Sequence, residues 1–180
     1  MNTTAHAALL LVDGYNIIGS WSSLKLTRDR FGLEMARDEL IETLINFTTH
    51  QGYQTQIVFD SQYQKTPSSQ EMHGPHLSVY FTDWMQTADT YIEKRCASYA
   101  RKTEVIPARL IVATSDRAQQ LTILGYGAEW MSAKHLAQAV ESNTYQRQKQ
   151  HRTRPNKQGR LLAHSLDEKV KEKFSQWRHG

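Results

Sequence analysis

Ala7-Ala8-Leu9-Leu10-Leu11-Val12-Asp13-Gly14-Tyr15-Asn16 opens with six apolar residues and stops on an acid. An unbroken apolar run of this length suits a strand buried on both faces. Asp13-Gly14-Tyr15-Asn16 then reads as turn chemistry. The same grammar returns twice: Gln54–Phe59 is followed by Asp60, and Arg109–Thr114 by Ser115 and Asp116. In a parallel α/β sheet, ligands bind at the carboxyl ends of the strands. Carboxylates gathered at that edge repel one another unless a cation lies between them. Hard Mg²⁺ or Mn²⁺, with its preference for oxygen ligands, is the usual solution.

Between these runs the apolar spacing changes to that of helices. Leu33, Ala36, Leu40, Ile41, Leu44 and Phe47 predict an amphipathic helix over Gly32–Gln51, ended by Gly52. Ser61–His76 is polar, holds Pro67 and Pro75, and reads as a long loop. Leu77–Phe81 is a short strand, and a helix opens at Thr87 or Thr82 and runs to about Lys102. A fourth strand is expected over Arg109–Ala113. Ser115 is the expected N-cap of a helix to Leu124, and Ala128–Met131 a fifth strand. Ser132 caps a helix to Gln150. Strands alternating with helices imply a three-layer α/β/α fold with a mainly parallel central sheet. Right-handed crossovers bring the acid-bearing strand ends to one edge.

The 180 residues suffice for one cored domain, expected over 1–150, with 151–180 an appendage packed on it. His151–Gly159 reads as a basic linker, and Ser165-Leu166-Asp167-Glu168 as the capping box of a last helix to Trp177. Residues 145–180 hold 10 Lys and Arg against 3 Asp and Glu, +7, which leaves −3 for residues 1–144 and +4 in all. An acidic body with a basic arm suits a polyanionic substrate. The single cysteine excludes an internal disulfide framework. No basic signal start and no apolar stretch of transmembrane length is present, so a cytoplasmic protein without a membrane partner is expected.

Each acid alone has an ordinary explanation. Asp13 and Asp60 suit turns, and Asp116 suits the positive end of a helix dipole. Asn16 suits a turn as well as a support for Asp13 or a phosphate contact. Asp89 and Glu93 share a helix face at i and i+4, with Asp89 in the first turn near the strand edge. Four acids at the mouths of consecutive βα units suit two-metal phosphodiester hydrolysis, which needs no protein nucleophile. Ser115, with Arg117 beside it, is placed for a phosphate at the same helix start. Arg147, Lys149, Arg152, Arg154, Lys157 and Arg160 would add salt-dependent phosphate contacts.

Other chemistries lack their signatures. There is no Walker A loop, no Gly-x-Gly-x-x-Gly after the first strand and no Gly-x-Ser-x-Gly. The eight histidines form no His-Glu-x-x-His pattern, and Cys96 falls on an apolar helix stripe.

Leu10-Leu-Val-Asp13-Gly-Tyr-Asn16-Ile-Ile-Gly19, Ile57-Val-Phe-Asp60, Thr87-Ala-Asp89-Thr-Tyr-Ile-Glu93 and Val112-Ala-Thr-Ser-Asp116 together resemble the NYN domain family, in its YacP-like branch. The Gly125–Ala133 stretch and the tail around Trp177 are similar too, so the resemblance covers nearly the whole chain. It implies a PIN-like (Rossmannoid) nuclease fold and metal-dependent RNA cleavage with Mg²⁺ or Mn²⁺. It places Asp13, Asp89 and Asp116 at the central acidic positions, Asn16 and Asp60 beside them, and Glu93 at a recurrent acid on the helix. The branch has members linked to messenger RNA on ribosomes, which implies RNA, and the ribosome with it, as partner. The expected activity is therefore that of an endoribonuclease. The alternative is a non-catalytic RNA- or ribosome-binding module of the same fold. A phosphatase of the haloacid dehalogenase type would need a second Asp where Tyr15 stands.

Overall fold

Successive side chains of the first strand, β1 (Ala8–Asp13), enter two different cores. Ala8, Leu10 and Val12 point to one face of the sheet, Leu9 and Leu11 to the other. This is the period-2 geometry of a strand covered on both sides. The computed structural model describes residues 7–61, 67–103 and 109–153, with side chains through residue 149. The chain continues through α1 (Gly14–Ser20), α2 (Ser22–Phe31), α3 (Leu33–Gln51), β2 (Tyr53–Phe59), β3 (Ser69–Met72) and β4 (Leu77–Phe81). Then come α4 (Ala88–Arg101), β5 (Leu110–Ala113), α5 (Arg117–Gly125), β6 (Glu129–Met131) and α6 (Ala133–Thr153).

The sheet has the order β3-β4-β2-β1-β5-β6. All neighbours are parallel except β3 and β4. On one face Ile17, Ile18, Leu24, Leu40, Leu44, Phe47 and Leu136 pack against Leu10 and Val12. On the other, Ala88, Ile92 and Cys96 of α4 and Ile123 of α5 pack against Leu9, Leu11 and Val58. Helices thus cover both faces of a mainly parallel sheet, as the alternating pattern predicts.

Four expectations about the elements are corrected. The residues after Asp13 form α1 rather than a turn, because the Asp13 side chain caps that helix. Part of the segment read as a loop is the strand β3, antiparallel to β4. All four of its side chains are exposed, so no apolar alternation marks it. Asp116, not Ser115, caps α5. Residues 151–153, read as linker, continue α6.

The compact unit carrying the sheet is Met1–Thr144, and Tyr145–Gly180 forms a second unit. The expected linker beyond Thr153 and the helix to Trp177 lie outside the described residues. Cys96 is buried in the second core, and burial pushes its thiol up to about 11. Beside β6, Arg109 and Glu129 make a two-pronged ion pair, with both contacts at 2.7 Å. Among the described residues no helix is long and apolar enough to cross a membrane.

One glycine is required by space. A Cβ built on Gly14 falls onto the ring of Phe59, which is fully buried. That ring is hemmed in by Tyr15 at 4.9 Å and Phe81 at 5.7 Å between centroids. Arg37 lies over the Phe81 ring at 5.6 Å and also faces Tyr15. Gly14→Ala should therefore lower stability by about 1–3 kcal/mol, the usual range for overpacking. Urea unfolding checks this, and an unchanged midpoint would mean that the ring can yield.

Candidate active site

After β1 the chain moves to β2 and β4 on one side, then crosses back to β5 and β6 on the other. The strand order reverses about β1, and α/β sheets open a crevice at the carboxyl ends of strands at such a switch point. Asp13 ends β1 there. It lies opposite Val58 of β2, so Asp60 stands two residues further along the neighbouring strand. Val12 lies opposite Ala113 of β5, which leads through Thr114 and Ser115 to Asp116. Asp89 arrives from the first turn of α4, the helix that Thr87 caps.

Each aspartate is held by donors that reach one oxygen. The Asn16 backbone N–H donates to Asp13 Oδ1 at 3.1 Å. The Ala88 N–H, at the start of α4, donates to Asp60 Oδ1. Asp116 Oδ1 accepts from the Ala118 N–H at 2.7 Å and the Gln119 N–H at 3.3 Å. Gln119 Nε2 donates to Asp89 Oδ1. Asp13 and Asp116 act here as N-caps, which contribute about 1 kcal/mol each. These bonds turn acids that would repel one another into parts of the helix starts.

Asp13 is only 7 % exposed. Its carboxyl is raised from 3.8 to about 7, chiefly by loss of water. The Asn16 N–H opposes the shift, and the charges of Asp89, Asp60 and Asp116 add to it. Asp89 is raised by burial and by Asp116 and Asp60, while the Gln119 amide opposes the rise. The four aspartates therefore feel one another. Glu93 is exposed on α4, and its charge adds to the rise at the Cys96 thiol. With Asp89, Gln119 and Thr122 it lines a crevice of about 180 Å³ between α4 and α5.

Asn16 supports Asp13 through its backbone N–H and makes a second tie through its side chain. Its side-chain oxygen accepts the Ser115 N–H at 2.7 Å and so joins the end of β1 to the loop after β5. Ser115 is exposed, and its Oγ accepts the Ala133 N–H at 3.3 Å. Arg117 is exposed on the first turn of α5. Arg147 and Lys149 are exposed on the part of α6 that belongs to the second unit. The Arg152 side chain, and Arg154, Lys157 and Arg160 as a whole, lie outside the described residues.

Residues 10–179 match the family model of the YacP-like NYN domain. The chain belongs to that family. The protein named Uncharacterized protein YacP from Bacillus subtilis (strain 168) is 36 % identical over 176 residues, 96 % of this chain and 97 % of its own. The crystal structure of Rae1 (YacP) from Bacillus subtilis superposes with a TM-score of 0.65. It is 32 % identical over 96 % of this chain and 95 % of that one. The structure of a tryptophan-to-leucine mutant of Rae1 gives a TM-score of 0.65 and 35 % identity over 80 % of each chain. The YacP-like NYN domain is of nuclease type, and NYN nucleases commonly depend on a metal.

The four aspartates of this NYN domain match that chemistry in kind. They are hard oxygen donors under mutual repulsion. In each, the second oxygen takes no hydrogen bond among the described residues. They are not a finished cage: among the described residues no three His, Cys, Asp or Glu side chains stand close enough to hold one ion. Mg²⁺ rarely asks for such a cage, since it keeps several waters and takes one or two carboxylates with substrate phosphate.

Sequence reading misses two contributors, Gly14 and Gln119. For Gln119 a signal is present, because it stands three residues after the cap Asp116, as in a capping box.

The raised pKa fixes a sign. Without divalent cations, the native state holds a proton on Asp13 up to about pH 7, whereas the unfolded chain releases it near 3.8. The stability tied to that proton is complete below the lower value and is lost as pH rises through the upper one. Asp13→Asn removes the titration and keeps a good cap. In EDTA, the urea midpoint of the wild type should fall relative to Asp13→Asn between about pH 4 and about pH 7. Parallel curves would show that Asp13 does not titrate there.

Proposed function

We propose that this chain is an endoribonuclease that hydrolyses RNA phosphodiester bonds with Mg²⁺ or Mn²⁺. The observation that carries the reading is the meeting of four aspartates at the switch point, where Asp60, Asp89 and Asp116 each raise the cost of charge on Asp13. In this reading Asp13, Asp89 and Asp116 hold the cations through their unengaged oxygens. A divalent cation bound there would supply Lewis-acid stabilisation of the phosphodiester and activation of a water.

The chain's own groups do the rest. Asp60 ties the start of α4, and so Asp89, to the end of β2 through the Ala88 N–H. Asn16 sets Ser115 in place, and the Ser115 hydroxyl donates to a non-bridging phosphate oxygen. Arg117 pairs with the same RNA backbone. Glu93, one turn after Asp89 on α4, shares with it the crevice between α4 and α5, where it would add a further carboxylate beside the cation site. Arg147, Lys149, Arg152, Arg154, Lys157 and Arg160 would supply salt-dependent phosphate contacts. The substrate is RNA that is single-stranded or accessible, and the YacP-like branch extends this to messenger RNA on the ribosome.

Asp13→Asn and Asp89→Asn should each reduce cleavage of a labelled RNA by several orders of magnitude, leaving the circular dichroism spectrum and RNA affinity close to wild type. EDTA should abolish cleavage and Mn²⁺ restore it. Free and ribosome-bound RNA compared in one assay tests the finer claim. Undiminished cleavage in both variants would exclude the metal-site assignment. RNA binding without any metal-dependent cleavage would favour a non-catalytic module.

A further inference from the structure

Gln119 joins two of the four aspartates. Its backbone N–H donates to Asp116 Oδ1 at 3.3 Å, and its side-chain Nε2 donates to Asp89 Oδ1. Asp116 and Asp89 belong to different helix starts, so this one residue ties α5 to the carboxylate carried by α4. The spacing Asp116-Arg117-Ala118-Gln119 is that of a capping box, in which the third residue's side chain bends back to the N–H of the cap. Here that N–H is already engaged, donating to Thr114 Oγ1 at 3.1 Å. The Gln119 side chain is therefore released from its usual helix-end role and turned outward to Asp89. Its orientation follows from charge. A flipped amide would set its carbonyl against a carboxylate, so the NH₂ faces Asp89. The carbonyl oxygen is left buried with no hydrogen-bond partner among the described residues.

We propose that Gln119 is a positioning residue: by holding Oδ1 of Asp89 it fixes that carboxylate and leaves the second oxygen for a divalent cation. This rests on the metal-site reading above. Partners that orient carboxylate ligands in this way commonly affect metal affinity about 10–100-fold.

The test is Mn²⁺ binding to the full-length, RNA-free chain, read as free Mn²⁺ by electron paramagnetic resonance. Gln119→Met keeps the length and loses the donor. Gln119→Asn keeps the donor and loses the reach. Both should weaken Mn²⁺ binding by about tenfold or more, the lower end of that range. Thr122→Val, in the same crevice, should leave it within about twofold of wild type, as expected for a position outside the ligand's support. In cleavage assays, kcat should fall at saturating RNA with KM unchanged. Wild-type chain that fails to bind Mn²⁺ would remove the metal reading and this inference with it. Wild type that binds, alongside Gln119 variants that bind equally well, would overturn this inference alone. Loss of binding only in step with lost circular dichroism would also overturn it, by making Gln119 structural.

Discussion

Like charge at the end of a parallel sheet is the constraint around which this fold is arranged. Asp13 terminates the central strand, is almost wholly removed from water, and lies within electrostatic reach of three other aspartates. A lone carboxylate in that position would be expensive. The apolar residues before it on β1 offset the expense, since burying each Leu or Val side chain contributes about 1.5–3 kcal/mol. The remaining stabilisation comes from backbone donors. Helix starts at α1, α4 and α5 each offer an N–H to one of the acids. The site is therefore assembled by the helix ends, and the helix ends are stabilised by the site.

That mutual dependence explains why the acids come from consecutive βα units rather than from one segment. A strand can supply one residue at its mouth, and the following helix one more in its first turn. Asp60 and Asp89 show the coupling across units, because the acid after β2 receives the N–H of the helix that carries the other. Asn16 shows it again by holding the loop after β5 from the end of β1.

The central part of this is legible in the sequence. β1 is a full apolar run and shows both its identity and its burial. Asp13, Asp60, Asp89 and Asp116 stand out by position, and the structure brings them into mutual reach. What stays hidden has physical causes. β3 has no buried face, so it carries no hydrophobic period. α1 follows β1 without a spacer, and Asp-Gly chemistry belongs equally to a turn and to a capped helix start. Ser115 and Asp116 are both good caps, and only the backbone path after β5 decides between them. Gln119 is obscured because its partner lies 30 residues away, on another helix.

The two rims of the sheet have a consequence for how such chains behave in company. Open strand edges are templates for pairing with other copies. One rim here is β3, four residues long, exposed along its whole length and carrying Glu71. The other is β6, three residues long and flanked by the forked ion pair of Arg109 with Glu129. Short length, polarity and charge make each a poor surface for strand addition. The parallel interior, whose slow non-local pairing leaves apolar strands open to aggregation during folding, is thus bounded on both flanks by strands that discourage polymerisation.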